Sequence, residues 1–125
     1  MRYTLVISAP EPAQGQVSQE AMAEMQGLMG DYAAALHAAG VLVAAEMLRP
    51  ADMTTTVTRR HGKVEIQDGP FADTKEALAG VFVLDVPDLD AALAWAERHP
   101  VTSYGTVEVR PSAVSVVDGT WVPAG

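Results

Sequence analysis

Three places in the chain combine residue types that can do chemistry. Glu46 is a carboxylate inside the apolar run "VLVAAEML" (41–48), where strand alternation puts Ala44 and Leu48 on its own side. If that run is a buried strand, loss of water raises the carboxyl pKa toward neutrality, and such a group suits proton transfer. An ion pair with Arg59 or Arg110, or an exposed edge position, accounts for the same residue without catalysis. The stretch "DGPFADTKE", Asp68 to Glu76, gathers Asp68, Asp73, Lys75 and Glu76 between two apolar runs. Its first half reads as a latch: Asp68 opens an Asx-type turn, Gly69 takes unusual backbone angles, Pro70 fixes the next φ, and Phe71 docks into the core. Its second half reads as a pocket rim, with Lys75 reaching Glu46 or Asp73, or with Thr74 to Glu76 forming a short helical turn. Arg59, in "TTTVTRR", offers a guanidinium that can hold an anionic group through two hydrogen bonds, or an exposed salt bridge. The candidates are therefore Glu46, Asp68, Asp73 and Lys75 for acid–base work, and Arg59, Phe71 and Glu76 for substrate binding.

Other chemistries lack their residues. His37, His61 and His99 have no ligand-like spacing with one another or with acids, so neither a metal nor another cofactor is expected. No nucleophile elbow, phosphate-cradling glycine loop or dinucleotide fingerprint occurs. The chain has no cysteine, which removes disulfides and thiolate chemistry and points to the cytoplasm. Eight basic against sixteen acidic side chains give a formal charge of −8, which disfavours nucleic acid and anionic membrane surfaces as partners. "MRYTLVISAP" alternates like a first strand rather than a leader.

The elements that must position these residues follow from periodicity. The 125 residues fit one domain, and 49% of them are apolar. "RYTLVIS" has period 2, with Tyr3, Leu5 and Ile7 on one face, and "APEPAQG" ends it as a loop. From Ser18 the step becomes three and four: Met22, Met25, Leu28, Met29, Tyr32 and Leu36 predict a helix over about 19–39, capped by Ser18, closed by Gly40, its methionine-rich face in the core. Gly27 and Gly30 inside it are either tolerated or meet a close neighbour. A buried strand over 41–48, a hairpin over 54–67 turning at "HGK", and a buried strand over 80–86 come next. "PDLDAALAWAERHP" is a helix capped by Asp88, with Arg98 and His99 at its negative end. "YGTVEVRP" is a further strand, and residues 112–125 form a C-terminal extension that supplies one more short strand or lies across a neighbouring subunit, its Trp121 packing within the chain or acting as an anchor there. This order is α+β, with helices on one face of a mostly antiparallel sheet.

"AAGVLVAAEMLRP", "TTTV", "DGPFADTKEALAGVFVLDVPDLDAALAWAERHP" and "GTVEVRP" together resemble the DGPF branch of the YCII-related proteins, over roughly Arg2 to Pro111. The resemblance implies a ferredoxin-like βαββαβ subunit, here with an extra β-hairpin, that pairs its sheet with a second copy in a dimeric α+β barrel, with a cavity between sheet and helices. It also implies a genomic setting beside extracytoplasmic-function sigma factors. Better-defined YCII members carry a histidine in the first helix with a nearby aspartate; Gly27 stands near that place here, so the dyad does not carry over. The resemblance implies no general reaction, and three readings stand: a cofactor-independent enzyme using carboxylate acid–base chemistry, in isomerisation or elimination; a ligand-binding or regulatory module tied to transcription control; or an accessory protein whose signature loop only maintains the dimer.

Overall fold

The computed structural model describes residues 1–13 and 15–125; the loop predicted over 9–15 includes residue 14, which lies outside the described residues. Among the described residues, eight strands and two α-helices run in order, besides short 3-10 turns at Ala51–Met53 and Pro100–Ser103: β1 (Arg2–Ala9), α1 (Gln19–Ala38), β2 (Leu42–Met47), β3 (Thr55–Arg60), β4 (Lys63–Asp68), β5 (Ala77–Asp85), α2 (Leu89–Glu97), β6 (Thr106–Pro111), β7 (Val114–Val117) and β8 (Thr120–Pro123). Strands β2, β5, β1 and β6 form one sheet in that order, and every pairing is antiparallel. With the β3–β4 and β7–β8 hairpins set aside, the order is βαββαβ, the ferredoxin-like α+β arrangement expected.

Period-2 alternation places the core. On β1, Tyr3, Leu5, Ile7 and Ala9 are buried while the residues between them are half-buried, and Phe82 and Leu84 continue the same face on β5. Tyr32 and Leu36 of α1 and Ala92 and Ala96 of α2 pack on that face. Leu5, Ile7, Leu36 and Leu84 are wholly buried, each contributing about 1.5–3 kcal/mol through loss of apolar contact with water.

The caps behave as their residue types dictate. Ser18 Oγ accepts from the Ala21 N–H and Asp88 Oδ1 from the Ala91 N–H, at 3.1 and 2.9 Å, each satisfying a donor the helix itself leaves free. Gly40 ends the turn after α1 at φ +72°, where a side chain would crowd the backbone. At Gly27 and Gly30 nothing stands within 4 Å of an added Cβ, so both are tolerated and no neighbour approaches them.

Three expectations are corrected. The run at 41–48 is not a buried strand: β2 lies at the sheet edge, and from Val43 to Leu48 it is exposed. Only the C-terminal half of the predicted face of α1 is core; Met22 and Leu28 are exposed, and Met22 and Met25 instead line a cleft of about 820 Å³ with Pro10, Val17 and Tyr104. Trp121 does not pack within the chain, because β7 and β8 form a separate hairpin that leaves its indole exposed.

Candidate functional site

The "DGPFADTKE" segment is clamped at its start by Thr54 and Thr56, where β3 begins. Gly69 sits at φ +98°, its N–H donates to the Thr54 carbonyl at 2.7 Å, and its own carbonyl accepts from Thr56 Oγ1 at 2.7 Å. Pro70 then turns the chain out of the hairpin. No helical turn forms over 74–76; Thr74 Oγ1 donates to the Glu76 carbonyl at 2.6 Å across a bend. At the far end, Glu76 Oε2 accepts from Thr106 Oγ1 at 2.9 Å, tying the segment to the first residue of β6.

This segment borders a cleft of about 720 Å³, closed on other sides by the turn after β2 and by the start of β5. Leu48, Met53, Phe71 and Leu78 supply apolar surface, while Arg49, Glu11 and Asp73 supply charge. Glu11 Oε2 accepts from the Ala51 N–H at 2.8 Å, which pins the chain after β1 against the short helical turn at Ala51–Met53. Arg49 and Asp73 have no ion-pair partner among the described residues, so their charges are open to a ligand.

The candidate residues scatter around this cleft. Phe71 and Asp73 line it; Phe71 is 73% exposed, so the expectation that it docks into the core is corrected. The clamp from Thr54 and Thr56 does the latching in its place. Asp68 closes β4 at the hairpin base, and no hydrogen bond to its carboxylate occurs among the described residues, so the Asx turn is absent. Lys75 is exposed and reaches neither Glu46 nor Asp73. Glu76 is engaged by Thr106, away from the cleft. Arg59 points its guanidinium at the Gly62 carbonyl, at 3.4 Å near the hairpin tip. Glu46 pairs in register with Val81, on the sheet face opposite Phe82 and the helices, and it is exposed and without an ion pair to Arg59 or Arg110. The acid–base set therefore does not converge on one point of a single subunit.

Sequence reasoning missed Arg49 and Glu11. Both are ordinary surface residues by type and neighbourhood, and only the approach of the chain after β1 to the turn after β2 brings them together. His99 was missed differently: it is 1% exposed, in the core rather than at a solvated helix end. Its Nδ1 accepts from the Val101 N–H at 3.1 Å, and its ring lies edge-to-face with Tyr32 and Phe82 at 4.9 Å. Burial disfavours the charged imidazolium and pushes the pKa down to about 4. Burial likewise raises the Tyr32 phenol to about 12, against the opposing pull of Arg98, and its hydroxyl donates to the Trp95 carbonyl at 2.8 Å. Among the described residues no three His, Asp or Glu side chains gather as metal ligands.

Comparison with known families decides the kinship of this arrangement: the YCII-related domain matches residues 1–113. The chain is a YCII-related protein. The match takes in the whole four-stranded sheet, both helices, the β3–β4 hairpin and the cleft wall, and stops as the β7–β8 extension begins. The YCII-related chain is also similar to an uncharacterised protein of Rhizobium meliloti (strain 1021), 38% identical over 78 residues, 61% of this chain and 63% of that protein. Among the described residues of this YCII-related protein, no helix is long and apolar enough to cross a membrane.

Proposed function

We propose that this YCII-related protein is a cytoplasmic homodimer that binds a small molecule with an apolar body and an anionic group in the cleft beside residues 69–74. The observation that carries the reading is the cleft itself: a clamped loop sets Phe71 beside open apolar surface from Leu48, Met53 and Leu78, with the Arg49 guanidinium unpaired among the described residues. Pockets of this size with a few placed polar groups suit small ligands, and a guanidinium suits a carboxylate or phosphate. Native mass spectrometry of the freshly purified protein, set against its denatured mass, tests it. The expected result is a dimer carrying added small-molecule mass that is lost in Arg49→Ala. Added mass that persists in Arg49→Ala sinks the assignment to this cleft.

A second reading, proton-transfer catalysis at Glu46, is favoured by one observation. Glu46 shares the open sheet face with Val6, Val81 and Val83, none of which the helices cover. Pairing of two such faces would remove water from around the carboxylate, an environment that suits proton transfer. Glu46→Gln should then abolish turnover of the recovered ligand while leaving its binding intact.

A further inference from the structure

The β3–β4 hairpin is, like β7–β8, little explained by packing within its own chain. It forms a two-stranded sheet by itself, turning through His61 and Gly62 at φ +50° and +76°, and it makes almost no contact with the other elements. A lone hairpin is marginal in water, so this one calls for a surface to pack on. Its register sorts its side chains into two faces: Thr55, Val57 and Arg59 stand opposite Asp68, Ile66 and Val64, and the remaining residues lie on the other side. Thr56, on that other side, turns toward the cleft. The first face is bare, with Val57 63% and Ile66 70% exposed and Val64 exposed beside them.

Along this bare face the chemistry is ordered. Arg59 stands at the tip end, the apolar group Val57, Val64 and Ile66 in the middle, and Asp68 at the base, about 13 Å from Arg59 along the strand. A face that is positive at one end, apolar at its centre and negative at the other is complementary to itself when turned end for end. A two-fold axis supplies that turn. We propose that the hairpin faces of two copies of this chain stack antiparallel, Val57, Val64 and Ile66 against the same residues of the second copy, with Arg59 of each subunit paired to Asp68 of the other. This rests on the homodimer reading above but not on sheet pairing as its contact, and it makes interface residues of Arg59, a substrate-binding candidate, and Asp68, an acid–base candidate.

Charge exchange tests it by sedimentation equilibrium. Arg59→Asp alone and Asp68→Arg alone each set like charges against one another twice in the dimer, and each should weaken association by about a hundredfold or more. The Arg59→Asp/Asp68→Arg double variant restores opposite charges and should recover most of the wild-type affinity. Hydrogen exchange adds a readout that global stability does not move: amides of 55–68 should lose protection on dilution of the wild type, while amides of β1 keep theirs. Single variants that dimerise like the wild type, or singles that weaken without recovery in the double variant, overturn the hairpin contact and leave the homodimer standing. A wild type that is monomeric at micromolar concentration, its hairpin face open to some other partner, overturns both.

Discussion

His99 shows how a single side chain couples the core to pH. The ring is enclosed by Tyr32 from α1 and Phe82 from β5, and its Nδ1 is already used as an acceptor for the Val101 N–H. A proton there costs both water lost on burial and a hydrogen bond. The folded pKa of about 4 lies below the ordinary 6.5, so in that window the unfolded chain binds the extra proton. Stability from this residue is full above about pH 6.5 and declines as pH falls toward 4. Between pH 7 and pH 5 the expected loss is about 2 kcal/mol, measured by urea unfolding. His99→Leu, less stable at pH 7 because the Val101 N–H loses its acceptor, should show none of that particular decline. An equal pH slope in both proteins would place the acid sensitivity elsewhere.

Among the elements, β2 is held to β5 by backbone pairing and a close approach rather than by burial on both faces. The approach depends on Gly80, because a Cβ there would stand 2.5 Å from the Glu46 carbonyl oxygen and 2.5 Å from Met47 Sδ. The sulfur can move, whereas the carbonyl belongs to the ladder and cannot. Gly80→Ala should therefore cost about 1–3 kcal/mol in denaturant unfolding and loosen β2 first, seen as faster exchange of the 42–47 amides. At the same scale, the sequence marks helix ends and the hairpin closely. Ser18, Gly40 and Asp88 act through local geometry, and the turn at His61–Gly62 is set by neighbours in the chain. Edge placement of β2 was not legible, since "VLVAAEM" is as apolar as a central strand and its neighbour count depends on where β1 and β6 pair.

For the whole molecule, the two faces of the sheet define what the fold offers. One face is the core under α1 and α2, while the other carries Thr4, Val6, Val81 and Val83 half-covered, with Glu46 and Glu108 at its sides. If that open face is where two subunits meet, Val6→Glu adds a carboxylate at its middle strand. The monomer should keep its circular dichroism, because solvent already reaches this face, and the dimer should shift toward monomer in sedimentation. An unchanged dimer would show that the sheets do not form the contact. Period-2 and helical spacing, capping residues and the turn chemistry of "HGK" and "DGP" by themselves determined the element order through β6, the α+β class and which face of β1 is core, because each acts through near neighbours along the chain. Tertiary structure alone decided that Phe71 lines a cleft instead of the core, that Arg49 and Glu11 join Asp73 there, that His99 is buried, and that Glu46 stands on an open edge. Those outcomes depend on contacts between residues distant in sequence, and a carboxylate or an aromatic ring looks the same in the sequence whether or not another segment comes to cover it.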